Sequence, residues 1–456
     1  MPGSFRQSVR QLAPLAWPVF IGQVAVMAYA TVDTLLLARY GTLDLAALAV
    51  GAAIYISVFV GLMGVVLAIS PIAGQLFGAG KLQEAGDQLH QSVWLALGLS
   101  VIGNALLCFP GPLLSLAQAG VEVESRVRSY LMALAFALPA ALLFTAFRGF
   151  ATAISRPRAV MGLQVIGLLL KIPLSALLVW GTTLGPVHLP ALGTLGCGIA
   201  TALVMWLQVL LAWQWLRRDA FYARFGLHEG TLHRPRQAAL RALLKLGVPI
   251  GSSIVVEVTG FTFMAIFIAR LGPLPVAGHE LAINLVSMMF MMPLAIGSAA
   301  STLVAQALGA HQGAQARRLS THSMVLALGL SFVMGGLMFA LREPVLGIYT
   351  RDAGIVRAAM PLLFWVWIFH TADAAQTVAA HILRSHHIAT APVLIYALAL
   401  WGVGIGGGRY LAFGSAAWIP AQLHGAAGFW SAATLGLVMA AAGLNAFLAW
   451  VNRQER

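Results

Sequence analysis

Apolar runs long enough to cross a hydrocarbon core, roughly 20 residues each, recur from one end of this 456-residue chain to the other. Twelve are read, at about 13–38, 46–76, 90–109, 129–150, 159–182, 191–216, 243–269, 276–306, 321–341, 355–383, 391–413 and 426–451. A soluble surface is excluded, because charged residues make up only 9% of the chain and hydrophobic ones 60%. The runs also far exceed the ~10-residue alternating segments of an outer-membrane barrel. The expected fold is an all-α integral membrane protein of twelve transmembrane helices. The basic start "MPGSFRQSVRQLAPLAWPVF" leads into an apolar run too long for a signal peptide, so it is read as the first span.

An even number of spans puts both termini on one side. With that side cytoplasmic, 18 Lys and Arg face it, from Arg6 and Arg10 through the 217–245 segment to Arg453 and Arg456. Eight face the other side (Arg39, Arg126, Arg128, Arg270, Arg342, Arg351, Arg357 and Arg409), and Lys171 lies inside a span, where it snorkels, pairs with an acid or serves transport. This asymmetry is the positive-inside rule. The net charge of +13 therefore reports topology, and no nucleic-acid partner is expected. Cys108 and Cys197 stand in apolar surroundings as small hydrophobes, without the spacing of a disulfide framework or metal cluster.

The chain repeats itself. A shift of 231 (249 − 18) carries Pro18 in "LAWPVF" onto Pro249 in "LGVPIG", and "ARYG" at 38–41 onto "ARLG" at 269–272. It also carries "GQLFGAG" at 74–80 onto "AQALGAH" at 305–311, and "ALGLS" at 96–100 onto "ALGLS" at 327–331. Each copy holds six spans, so the copies enter the membrane in the same orientation: two parallel six-helix bundles, a plan known among secondary transporters. The expected domains are an N-terminal lobe, 1–216, a basic cytoplasmic linker, 217–242, and a C-terminal lobe, 243–456.

Of fourteen acidic residues, Asp33, Glu257 and Asp373 lie well inside apolar spans, where each charge costs about 2.5–3.5 kcal/mol on insertion scales. Under the shift of 231, Glu257 falls on Val26, Asp33 on Met264 and Asp373 on Leu142. The shared scaffold does without the acid at each equivalent place, so the acids serve a function beyond folding. They could load a proton, or hold Na+ at Glu257 and Asp373. In "FWVWIFHTADAAQTVAAHILRSHH", His370, Asp373, Thr377, His381 and Arg384 follow one another at steps of three and four, and form a polar stripe with Gln376 beside it. Gly260, Phe261 and Met264 follow Glu257 on its own helix face, where an aromatic ring and a thioether beside a carboxylate suit an apolar cation.

Other motifs fail. "HELAINL" at 279–285 lacks the second histidine of a zinc-protease helix, since Ile283 stands there, and the chain has no GxxxxGK[ST] phosphate loop. "GIGGGRY" at 404–410 lies at a span end and is read as a helix-packing segment or a turn.

The segments "VDTLLLARYG", "VPIGSSIVVE", "LGTLGCGIATA" and "DAAQTVAAHILR" resemble the multidrug and toxic compound extrusion family, in its NorM-like branch, and the likeness runs over essentially the whole chain. The resemblance implies a cation-coupled antiporter, not an enzyme. Such a protein exports cationic or amphipathic small molecules from the cytoplasm by alternating access, in exchange for Na+ or H+, and carries no other cofactor. It implies a bacterial inner-membrane location with both termini cytoplasmic, function as a monomer, and coupling roles for Asp33, Glu257 and Asp373. Phe261, Met264, Gln376, Thr377 and His370, with Glu280 and Asn284 of "GHELAIN", are then the expected cavity residues. Glu280 departs from the family's usual glutamine. The alternative, a lipid-linked precursor flippase of related architecture, would call for intramembrane cations to hold pyrophosphate, and this chain has almost none.

Overall fold

The computed structural model describes residues 4–112, 114, 120–184, 187–228, 230–414, 420 and 423–454; Arg456 of the charge tally lies outside them. Among the described residues, eleven helices are long and apolar enough to cross a membrane. A twelfth span follows when Ala353–Ala359 and Leu362–Ser385, bent by 43° at a short break, are taken together. Pro361 stands at that break, where its missing N–H interrupts the hydrogen-bond ladder. The all-α, twelve-span expectation holds.

The chain forms two compact units: Ile21–Gly251, the N unit, and Met1–Phe20 with Ser252–Arg456, the C unit. The chain passes between units inside two helices, α1 (Phe5–Tyr40) and α8 (Gln237–Ala269). The crossings follow Phe20 and Gly251, and their spacing, 251 − 20 = 231, is the shift of the sequence repeat. Each copy thus contributes the start of its first helix to the other unit. Pro18 and Pro249 each lie just before a crossing. The lobe limits expected from the repeat differ at residues 1–20 and 217–251, because apolar pattern marks where a helix runs and not which bundle each half packs against.

In the N unit, α2 (Thr42–Val66), α3 (Ile69–Gly78), α4 (Leu82–Cys108), α5 (Val121–Ala153), α6 (Pro157–Trp180) and α7 (Thr194–Arg218) follow α1. The alanine-rich α5 is the packing centre, in contact with α2, α3, α4 and α7; its small side chains let neighbouring backbones come close. Between α6 and α7 the sequence predicts only a loop. The structure has a two-stranded antiparallel ribbon there, β1 (Thr182–Leu184) and β2 (Val187–Leu189), with Thr182 opposite Leu189.

The basic linker is folded against the N unit. Asp219 accepts the Phe221 amide at 2.9 Å and starts a 3-10 turn, Ala220–Phe225; that amide holds the Asp219 carboxyl below its ordinary range. Phe225 is buried against the backbone of Gly86 and the rings of Phe77 and Phe150. Further on, α4 holds the chain like a rail. Trp94 donates to the His233 carbonyl at 2.8 Å, Gln91 pairs with the backbone of Arg234 and Arg236, and Asp87 takes His233 and Arg236.

In the C unit, α9 (Pro273–Gly309), α10 (Gly313–Ala340), α11 (Arg342–Tyr349), α12 (Ala353–Ala359), α13 (Leu362–Ser385), α14 (Thr390–Tyr396), a π-helical stretch (Ala397–Gly407), α15 (Gly408–Phe413) and α16 (Ala426–Gln454) follow. Here α13 is central, packed on α9, α10 and α16, and under the shift of 231 it corresponds to α5. The "GIGGGRY" segment is the packing device expected of it: α16 crosses against the π-helical stretch, with Gly404 close to Ala433 and Gly408 under the Phe429 ring.

One buried charge ties the N unit together. Asp44, in the first turn of α2, accepts from the Thr194 amide at 2.9 Å, from its hydroxyl at 2.8 Å and from Arg126. Gly193 has φ of +52°, and a side chain there would strike the Asp44 carboxylate. Asp44→Ala leaves the buried Thr194 amide without its partner, while the Thr194 hydroxyl keeps the Asp44 backbone carbonyl at 2.9 Å, and should destabilise the protein by about 2 kcal/mol. Arg126→Gln, at a half-exposed partner, should cost under about 1 kcal/mol. Thermal unfolding of the two variants in detergent checks the order.

Candidate functional site

Apolar periodicity makes α8 and α13 helices, and their polar interruptions meet. Asp373, Gln376 and Thr377 share one face of α13, at steps of three and four, and all three are buried. Glu257, half-buried on α8, comes to the same place. The Gln376 amide nitrogen is the hub. It donates to Asp373 Oδ1 at 2.8 Å and to Glu257 Oε1 at 3.0 Å, and lies 3.1 Å from Thr377 Oγ1. The Gln376 carbonyl oxygen accepts the Tyr396 hydroxyl. Tyr396 ends α14, and just beyond it Trp401 of the π-helical stretch donates to the Val256 carbonyl at 3.0 Å, next to Glu257. Arg384 lies further along α13, in its last turn.

Two carboxylates that meet on one neutral amide in a low-dielectric interior repel each other strongly when both are ionised. A proton or a small cation between them relieves the repulsion. The arrangement suits a proton or a small cation, and neutral donors hold it in place.

Of the remaining expected residues, some join this cluster and others do not. His370, fully buried, lies on the same stripe, and neither of its ring nitrogens has a hydrogen-bond partner among the described residues. His381 Nδ1 meets the Thr377 carbonyl at 2.8 Å. Phe261 is half-buried, edge-on to Phe369 with ring centroids 5.8 Å apart, and Met264 is buried in the C-unit core. Glu280 and Asn284 are exposed on α9, where Asn284 accepts from the Tyr349 hydroxyl at 2.9 Å. Asp33 belongs to the N unit, where Lys171 holds it at 2.9 Å.

Tyr396 and Trp401 were not legible as site residues. Both lie on the span after α13, where no periodicity relates them to Gln376. The glycine run from Gly402 was the available signal, since π-helical turns often accompany functional sites.

A helical bundle duplicated within one chain, with a buried and a half-buried carboxylate meeting in only one copy, has the plan of a secondary transporter of the membrane. The MatE family model matches the chain twice, over residues 18–177 and 249–408, and the second match is the first moved by the same shift of 231. The chain is 41% identical to a probable multidrug resistance protein NorM of Aromatoleum aromaticum, over 93% of this chain and 90% of that protein. It is 33% identical to the multidrug resistance protein NorM of Vibrio cholerae, over 99% and 97%. Among solved structures, the eukaryotic MATE transporter AtDTX14 superposes with a TM-score of 0.85 at 21% identity, over 99% of both chains. The bent form of the Vibrio cholerae MATE transporter VcmN superposes with 0.86 at 17%, over 99% of this chain and 98% of that one. The chain belongs to the multidrug and toxic compound extrusion family, in its NorM-like branch, and is a transporter, not an enzyme.

Gln376→Leu keeps the volume but strands both carboxylates and the Tyr396 hydroxyl, and should destabilise the protein by about 2–4 kcal/mol. Thr377→Val, which removes one lesser partner, should cost about 1 kcal/mol. Unfolding midpoints of the two variants decide whether Gln376 is the hub.

Proposed function

We propose that Glu257 and Asp373 form the coupling centre of an antiporter that exports organic cations in exchange for a monovalent cation, Na+ or H+, moving inward. The observation that carries this reading is their convergence on the single Gln376 nitrogen. Further support comes from the repeat, in which Val26 and Leu142 stand at the equivalent places. Two carboxylates on one neutral amide attract a monovalent cation or a cationic drug.

The protein works by alternating access. Two states differ in which side reaches the centre, and the ion drives the change only because it binds one state better than the other. The coupling ion and the drug compete for the same carboxylates, so loading one releases the other. Phe261 offers an aromatic face beside Glu257, and the exposed Glu280 and Asn284 offer polar groups to an amphipathic cation; the buried Met264, Thr377 and His370 complete the expected set. The NorM relatives carry the name of multidrug resistance proteins, which supports this substrate class. The excess of Lys and Arg in one set of loops supports a bacterial inner-membrane topology with both termini cytoplasmic, and a single chain suffices for the cycle. A flippase for pyrophosphate-linked lipids fits less well, because the buried Lys171 is already paired with Asp33.

Glu257→Gln and Asp373→Asn should each reduce drug-cation efflux from cells to the level of vector controls, at unchanged amounts of protein in the membrane. Wild-type efflux in both variants would sink the assignment. In proteoliposomes, a pH gradient and a Na+ gradient imposed in turn identify the ion: only the true one drives accumulation of the drug against its own gradient.

A further inference from the structure

Asp33 of the N unit is not an unoccupied acid. Lys171, on α6 and fully buried, brings its ammonium to Asp33 Oδ2 at 2.9 Å, to Thr201 Oγ1 at 2.7 Å and to the Cys197 carbonyl at 3.2 Å. An ammonium has three hydrogens, and three oxygens receive them. Ser175, one turn along α6, donates to the other Asp33 oxygen at 3.2 Å. The oxygens come from α1 and α7 and the ammonium from α6, so three helices converge on one positive charge. A carboxylate, a hydroxyl and a backbone carbonyl form the donor set that hard cations take. The repeat adds an independent observation. In the second copy, Met264 replaces Asp33 and Gly402 replaces Lys171. The acid and the amine are present together in one copy and absent together from the other.

We propose that Lys171 is a tethered cation: its ammonium fills a monovalent-cation site formed by Asp33, Thr201 and the Cys197 carbonyl, and removing the amine opens that site to a free ion. In the native protein Asp33 then exchanges no Na+ or K+, and ion coupling rests on the C-unit acids alone. Lys171 sets the number of ions the transporter uses.

Methionine matches the lysine stem up to its last carbon, so Lys171→Met removes the ammonium and leaves its place free. The test uses the full chain in nanodiscs, in a Glu257→Gln/Asp373→Asn background, so that a failure here leaves the assignment of those acids untouched. Unfolding midpoints are measured as choline chloride is replaced by NaCl or KCl at constant ionic strength. With Lys171 present the midpoint should not move. With Lys171→Met it should rise saturably, by about 2 °C or more, and adding Asp33→Asn should remove the rise. A flat response in folded Lys171→Met overturns the proposal, and so does a rise with Lys171 in place that Asp33→Asn abolishes. Should Lys171→Met not yield folded protein, Lys171→Ala is purified with n-propylammonium, which replaces the missing stem and ammonium. Recovery of monodisperse protein supports the tethered cation, and no recovery with propylammonium, Na+ or K+ overturns it.

Discussion

Hydrocarbon offers an ionised side chain nothing to bind, so a charge carried into a transmembrane helix must find its partner inside the protein. The buried charges of both units follow from that constraint. In the N unit, Asp33 meets Lys171 and Asp44 meets Arg126 and Thr194. In the C unit, Glu257 and Asp373 meet on Gln376. Each set draws on helices distant in sequence, so the pairing also fixes which helices pack together.

The duplication makes these choices visible. Two copies on one plan share the packing centre, α5 in one and α13 in the other, and each passes the start of its first helix to the other unit at the equivalent position. On that common scaffold the polar groups are private to one copy. Glu257, Asp373, Gln376, Arg384 and Tyr396 correspond to Val26, Leu142, Thr145, Ala153 and Val165. The whole cluster is replaced by apolar or small residues, not only its acids. Groups lost together are groups that work together, whether they bind an ion or only tolerate one another.

Much of this was legible in the sequence because the membrane restricts the solutions. The length of the apolar runs fixes helices, their count fixes the topology, and an acid within a run stands out by its cost. The α13 stripe placed Asp373 and Thr377 on one face with Gln376 beside it, and the Gln376 amide reaches both. What periodicity could not carry is contact between helices. Glu280 and Asn284, expected among the cavity residues, are exposed on α9, where Asn284 accepts from the Tyr349 hydroxyl of α11. Periodicity gave no sign that Tyr396 reaches Gln376, nor that Lys171 is the partner of Asp33. Nor could it show that the basic linker lies along α4, because that clamp uses Asp87, Gln91 and Trp94, ordinary residues on an ordinary helix.

The two buried sets differ in one respect that bears on transport. Asp33 and Lys171 cancel: the ammonium has all its hydrogens engaged, and the pair needs nothing from outside. Glu257 and Asp373 do not cancel. Gln376 and Tyr396, which hold them together, are neutral. A closed pair serves packing, because any exchange of its charge would break it. On the proposed reading the open pair serves exchange, because a proton, a Na+ or a cationic drug each satisfies it only while bound. The same cost of burying charge that forces Asp33 to carry its own counter-ion lets the C-unit acids demand one from solution.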